Sequence, residues 1–327
     1  MAGPRWRDFL VCTEDLYNMS QDGNCLKCPK CGRAYEVRDG VAMMLPDYED
    51  DLHRRYLDSY RKIAKDDLAE PLEGNRDVRQ AEFARFVGST AGKKVLDIGS
   101  GDGRFLSQIG ADVKVALDIS EAYLHAMQAG EPNLFRVCAD AEKLPIAAGF
   151  FDVIVVSGVL EHLLKPEDFV ARLRSICTPI TRVIVLVPWE EDLTPYKDMP
   201  WEFTHLRTFD AFSFSRLWYH FRIVRKKGVW PRMADPLLFR LDKVLPSPVF
   251  DFLRYAYFHR GLAKIDGDYR MRWHNELPKR ERRLLWLYRP TFYQFELRTF
   301  AGSWVPSAYG RLTDLGKRVR SLFTRSR

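Results

Sequence analysis

Several groups of residues in this 327-residue chain have types and spacings suited to chemistry. A short apolar run, Val95, Leu96 and Ile98, is interrupted by Asp97 and followed by Gly99, Gly101 and Gly103. Glycines packed this densely after a strand let the backbone turn sharply and approach a ligand closely. A second apolar run, 113–118, ends in Asp118, roughly 20 residues after the first, where a carboxylate can accept both hydroxyls of a nucleoside ribose. A third, 134–140, ends in Asp140. Further on, Glu161 and His162 stand side by side, and His205 and Arg207 follow later. Imidazole titrates near neutrality, so His162 and His205 are general-base candidates, with Glu161 able to orient His162 or pair with a substrate amine. Arg207 suits a phosphate or carboxylate on a substrate. Cys12, Cys25, Cys28 and Cys31 fall within the first tenth of the chain, a pattern that in a cytosolic protein favours a metal over disulfides.

These residues need a frame. Residues 95–98, 113–118, 134–140, 153–156 and 182–187 read as short strands rich in Val, Ile and Leu, suited to a parallel sheet buried on both faces. A helix is expected at 166–176. Ligands at the C-terminal ends of successive strands fit the rule for doubly wound α/β sheets. Two nucleotide loops are excluded. Gly88 to Lys94 has three residues between its glycines where a phosphate loop needs four, places Lys94 where Ser or Thr must meet Mg²⁺, and precedes its strand. After Gly99 and Gly101, the last glycine of a dinucleotide fingerprint is replaced by Arg104.

The stretch KKVLDIGSGDGRFL, taken with Asp118 and Asp140, resembles the cofactor motifs of class I S-adenosylmethionine-dependent methyltransferases. The resemblance implies a seven-stranded Rossmann-like sheet and S-adenosyl-L-methionine as cofactor. Asp97, Gly99, Gly101, Gly103, Asp118, Ile119, Asp140, Ala141 and Ser157 would line its site, Asp140 near the adenine amino group and Ala141 offering a backbone N–H. The loop Ser157 to Leu163, SGVLEHL, is similar to that of small-molecule methyltransferases, in many of which the histidine only shapes the pocket. The stretch Thr204 to Phe209 resembles an H-x-R-x-F segment of relatives that modify sugars and quinones, in which His205 and Arg207 would face the acceptor. The alternative for this stretch is a helix entry, with Thr208 or Asp210 capping residues 211–219. Neither the (N/D)PPY motif of amino-methylating enzymes nor the Pro-Cys nucleophile of cytosine C5 enzymes is present, and Cys138 and Cys177 read as core thiols.

Residues 1–46 form a first unit. Cys28-Pro29-Lys30-Cys31-Gly32 has the spacing of a zinc knuckle, Gly32 permitting the turn. The unit resembles the half zinc ribbon of small methyltransferase activator subunits. The first cysteine pair is incomplete: Cys12 stands alone and Asp15 takes the second place. Cys25 or Asp15 would complete the Zn²⁺ site; alternatively the ribbon folds on its small core without metal. Residues 47–88 are charged and helix-prone, and Leu52, Tyr56 and Tyr60 form a thin stripe that fits either a lid or a solvated linker.

Residues 89–230 would hold the methyltransferase domain, with 221–224 and Gly228 supplying a late antiparallel pair. Residues 231–327 make an aromatic, mostly helical extension. From Arg260 onward 16 Lys/Arg face 6 Asp/Glu, an excess larger than the net charge of +7 of the whole chain. Residues 311–327 set Leu312, Leu315, Val319 and Leu322 on one face of a basic amphipathic helix, suited to an anionic membrane surface. No apolar run reaches spanning length and the N-terminus lacks a signal sequence, so a cytoplasmic enzyme, peripheral at the inner membrane face, is expected. The sequence reading is a methyltransferase acting on a small or lipid-linked acceptor such as a sugar, glycan or quinone, chiefly at oxygen. An rRNA or tRNA methyltransferase, its tail gripping phosphates, and a non-catalytic cofactor-binding scaffold are the rivals.

Overall fold

A computed structural model describes residues 4–69, 76–127, 133–189, 193, 201–229 and 292–299. Its centre is a parallel sheet of β5 (Lys94–Ile98), β6 (Val113–Asp118), β7 (Leu134–Cys138), β8 (Val153–Ser157) and β9 (Arg182–Pro188). They lie in the order β7-β6-β5-β8-β9, so the chain starts in the middle and winds outward in both directions. Val95, Leu96, Ile98, Val115, Leu117, Ile154, Val156, Val183 and Val185 are buried, as a sheet covered on both faces requires. Helices α2 (Arg76–Val87), α3 (Glu121–Ala126) and α4 (Pro166–Ile176) connect the strands. Pro166 opens α4, where a missing backbone N–H costs nothing, and Phe169, Val170, Leu173 and Ile176 form its buried face.

The sheet extends beyond this core at both ends. Beyond β9 lie β11 (Phe292–Thr299) and then β10 (Phe221–Val229), both antiparallel to their neighbours. The late strand expected around 221–228 is therefore present. Its partner comes from Phe292–Thr299, inside the C-terminal extension, and slots between β9 and β10. The aromatic run at 231–290 and the basic helix expected at 311–327 lie outside the described residues.

At the opposite end, β1 (Ser20–Asp22), β2 (Cys25–Lys27), β3 (Ala34–Arg38) and β4 (Val41–Met43) form an antiparallel meander. Its last strand pairs in parallel with β7, Val41 opposite Arg136 and Met43 opposite Cys138. The N-terminal unit thus adds strands to the central sheet. A second seam reinforces this one, where Val11 N–H donates to Pro145 O (2.9 Å) and Ala147 N–H to Phe9 O (2.8 Å). Phe9 is fully buried among Trp6, Phe135, Phe150 and Phe151, with ring centroids between 4.9 and 6.0 Å across this group.

In chain order β4 is followed by α1 (Asp51–Ala69), the charged helix expected there. Tyr56 is buried, while Leu52, expected on the same stripe, is exposed. The helix is tied to segment 201–203: Tyr60 hydroxyl donates to Phe203 O (2.9 Å), Trp201 Nε1 to Asp66 (2.9 Å), and Arg55 pairs with Glu202. Tyr123 of α3 donates to Asp67 (2.9 Å) from the other side.

Candidate active site

The glycine stretch leaves β5 through three left-handed residues. Gly99, Gly101 and Gly103 have φ of +70°, +53° and +80°. At Gly99 a side chain is barred twice over, because a β-carbon would also lie 2.3 Å from Val159 Cγ2. At Gly101 the space is open, nothing lying within 4 Å of a β-carbon. Gly101 N–H donates to Asp118 Oδ2 (2.8 Å), and Ser120 N–H to Asp118 Oδ1 (2.9 Å). The end of β6 therefore fixes the turn that follows β5. Burial pushes the Asp118 carboxyl up to about 6 against the pull of these backbone donors. Asp97, 2% exposed, is pushed well above the carboxylate range by burial and then by the Asp118 charge.

Asp140 caps the short 3-10 turn Ala141–Lys143, accepting from Glu142 N–H at 2.7 Å. Its other oxygen accepts from the hydroxyl of Tyr48, a residue of the linker between β4 and α1 that no sequence pattern singles out. Ile119 follows Asp118, its carbonyl taking the Cys138 thiol at 3.6 Å, and Ala141 is buried beside Asp140. Ser157 ends β8, half-buried. The cofactor residues expected from the sequence thus sit at the C-terminal ends of β5, β6, β7 and β8 and in the turns that follow them.

The base candidates converge. Glu161, His162 and His205 each offer a ligand atom within 4.8 Å of the others, close enough to act together or to hold a cation, and the rings of His162 and His205 meet edge to face at 4.8 Å. His162 Nδ1 lies 3.1 Å from Thr204 O, an acceptor only, so Nδ1 carries the proton and Nε2 the lone pair. Burial, then the neighbouring His205, depress the His162 pKa to about 4, so the ring is neutral at physiological pH. Tyr60 of α1 meets this ring edge-on at 5.9 Å. Glu161 is buried, its carbonyl accepting Leu206 N–H at 2.9 Å.

Arg207 reaches the loop after β8. Its guanidinium donates to the carbonyls of Leu160 (3.2 Å), Leu163 and Leu164 (3.4 Å), holding the loop that carries Glu161 and His162. Planar, forked donors suit such a set of carbonyls. Asp210 supplies the cap expected at the next helix, α5 (Ala211–Leu217), accepting Ser213 N–H at 2.7 Å.

Among the cysteines, Cys12, Cys28 and Cys31 gather with Asp15, all four donor atoms within 4.8 Å of one another. Cys12 Sγ lies 3.6 Å from Cys31 Sγ, and Cys28 Sγ 3.4 Å from Asp15 Oδ1. A tetrahedron with zinc–sulfur bonds of about 2.3 Å has edges of about 3.8 Å, so the set fits a four-coordinate Zn²⁺. Cys25 falls outside the cluster. On β2 the buried side belongs to Leu26, and Cys25 faces solvent. The turn Gly32 allows, at φ +77°, brings Gly32 N–H onto Cys28 O (3.0 Å) and closes the knuckle.

Residues 68–221 match the family model described as a methyltransferase domain. That segment, 154 of the 327 residues, is similar to a methyltransferase domain. The fold bears a likeness to a chain of the complex between the Haloferax volcanii Trm112 methyltransferase activator and a methyltransferase. That likeness has a TM-score of 0.50 at 12% identity, covering 76% of this chain and 97% of that one. Among relatives, the ubiquinone biosynthesis O-methyltransferase of Bordetella avium is 29% identical over 117 residues, 33% of this chain and 48% of that protein. The ubiquinone/menaquinone biosynthesis C-methyltransferase UbiE of Cupriavidus taiwanensis is 32% identical over 133 residues, 35% and 54% respectively. The chain thus spans about half the length of these relatives. No helix among the described residues is long and apolar enough to cross a membrane.

Proposed function

We propose that this protein is an S-adenosylmethionine-dependent methyltransferase of a small quinone-type acceptor, methylated at oxygen. The observation that carries the reading is the gathering of Glu161, His162 and His205 at the strand edge that also bears Asp118 and Asp140. The relatives named for ubiquinone and menaquinone biosynthesis support the acceptor class.

When bound, S-adenosylmethionine supplies a sulfonium-activated methyl group. Asp118 would hold the ribose hydroxyls, and the Gly99–Gly103 turn would accommodate the cofactor at its open Gly101 position. His162 Nε2 would take the proton from an acceptor hydroxyl as its oxygen is methylated, which a neutral ring can do and an imidazolium cannot. Glu161 and His205 would position that acceptor, and Arg207 would keep the loop in place through its carbonyl contacts. Tyr56 and Tyr60 of α1 would exclude water above the site. Cys12, Asp15, Cys28 and Cys31 would hold Zn²⁺, a structural ion that fixes the meander against β7. A lipid-linked acceptor gives the basic tail a role in holding the enzyme at an anionic membrane face.

Calorimetry with S-adenosylmethionine is the first test, and absence of binding overturns the reading. Transfer of labelled methyl to a panel of catechol, quinol and sugar acceptors follows, with a quinol-type product expected. Transfer only to RNA would move the protein to the nucleic-acid class, and binding without transfer to the scaffold class. Co-sedimentation with anionic vesicles tests the membrane role of the tail.

A further inference from the structure

Asp140 is 3% exposed, with both carboxylate oxygens engaged. Oδ1 takes Glu142 N–H at 2.7 Å, and Oδ2 takes the Tyr48 hydroxyl. A carboxylate has lone pairs for more than two donors, but at 3% exposure the side of Oδ2 on which the Tyr48 hydroxyl stands is closed to another donor while Tyr48 stays there. On the cofactor reading above, however, Asp140 is the acid that meets the amino group of adenine. The Tyr48 hydroxyl and that amino group are therefore rival donors for one oxygen.

Tyr48 is held for this position. Its ring stacks on His53 of the first turn of α1, centroids 4.6 Å apart and planes 9° from parallel. His53 Nδ1 in turn lies 2.7 Å from both oxygens of Asp50. The Lys143 ammonium, from the turn that Asp140 caps, lies 5.0 Å from the Tyr48 ring centroid. On the N-terminal side, Met44 N–H donates to Cys138 O (2.7 Å) and Arg33 pairs with Asp47 at 2.9 Å, fixing the chain on the way into Tyr48. Burial and the Asp140 charge both push the phenol pKa upward, which keeps the hydroxyl a donor.

We infer that Tyr48 is a latch on the adenine end of the cofactor site: it holds Asp140 until an adenine amino group displaces it, so the linker before α1 sets cofactor affinity. The inference rests on the cofactor reading and adds to it a residue that tunes affinity from outside the sheet. Adenosyl binding then carries a conformational cost, because only the fraction of molecules with Tyr48 displaced is competent. The stack on His53 couples that displacement to the first turn of α1.

The test compares wild type with Tyr48→Phe, which keeps the ring and its stack and deletes only the donor. With S-adenosylhomocysteine in a calorimeter, Tyr48→Phe is expected to bind roughly tenfold more tightly, the worth of one hydrogen bond to a charged acceptor. S-inosylhomocysteine, whose O6 accepts a hydrogen bond and cannot donate one, is expected to gain much less. In stopped flow, the observed rate for wild type should level off at high S-adenosylhomocysteine, and Tyr48→Phe should raise that plateau. Equal or weaker binding by Tyr48→Phe, in a variant whose circular dichroism and melting match wild type, overturns the latch and makes Tyr48 a supporting wall. Failure of both proteins to bind S-adenosylhomocysteine overturns the cofactor reading itself and the latch with it.

Discussion

The two halves of the catalytic edge are built in opposite ways. On the cofactor side, Asp97, Asp118 and Asp140 come from strand ends or the turns immediately after them, and backbone N–H groups from the adjoining turns hold Asp118 and one oxygen of Asp140. On the acceptor side, the Glu161, His162 and His205 cluster joins a loop after β8 to a segment some 40 residues later, laced by His162 to Thr204 O, Leu206 N–H to Glu161 O and Arg207 to three carbonyls. Tertiary contacts alone hold that side together. A local assembly tolerates drift elsewhere in the chain. A non-local one responds to changes far from the chemistry.

This contrast is open to direct attack. The largest effect is expected at Asp118, because Asp118→Ala strands two backbone donors and removes the ribose acceptor. A loss of at least a hundredfold in S-adenosylhomocysteine affinity should appear by calorimetry, about 3 kcal/mol, and an unchanged affinity would sink the assignment. Its pH behaviour is a sharper version of the same test. The folded chain binds this proton more tightly than an ordinary carboxylate does. The group therefore lowers stability as pH rises from about 4 to about 6 and contributes no further change above. Ribose hydroxyls donate to the ionised form, so affinity should rise through that window in wild type and be flat in Asp118→Asn.

Next in size is His162→Gln. It should slow transfer to a quinol-type acceptor about a hundredfold while leaving S-adenosylhomocysteine affinity within twofold of wild type. Because the ring is already neutral above about pH 4, the rate should show no inflection near 6.5 from this residue; such an inflection, lost in His162→Gln, would contradict the assigned tautomer and burial. Arg207→Lys keeps the charge and loses the fork, and is expected to lower kcat about tenfold with little change in acceptor KM. A large KM rise with kcat intact would instead return Arg207 to the acceptor. In the N-terminal meander, Cys28→Ser and Asp15→Ala should abolish one equivalent of bound zinc, read by metal analysis, whereas Cys25→Ser should retain it. The smallest effect belongs to Glu296, which pairs with Arg182, Arg225 and Arg298 on β9, β10 and β11. Glu296→Gln should cost about 1–2 kcal/mol in denaturant unfolding without touching either side of the active site.

How far the sequence reveals the molecule follows the same division. The glycine turn, Asp118 and Asp140 are readable because strand, turn and acid are neighbours in the chain, and the spacing itself encodes the geometry. The parallel strands are readable because burial on both faces leaves unbroken apolar runs. The alternation along β2 decides against Cys25, yet its phase becomes visible only when Leu26 is seen buried against the meander core. For Arg207, the residue type indicates a planar, forked donor and says nothing about what it meets; the carbonyls it holds belong to a loop more than 40 residues away. Tyr48 has no local signature at all, its partner standing 92 positions further along. The strand β11 is equally silent, since a run read as part of an aromatic extension becomes a sheet strand only by finding β9 and β10.

That insertion governs how the protein can be made. Strand β10 touches β9 nowhere in the sheet order; β11 stands between them. A ribosome that has released everything through residue 229 has therefore delivered a sheet with an exposed β9 edge and a homeless final hairpin arm. Only when Phe292–Thr299 emerges can the edge be closed. Until then Val183, Val185 and Val187 border an unpaired strand of the kind that recruits other chains. Expression fragments ending near residue 230 should accumulate as aggregates, and those extending past residue 299 should be recovered folded.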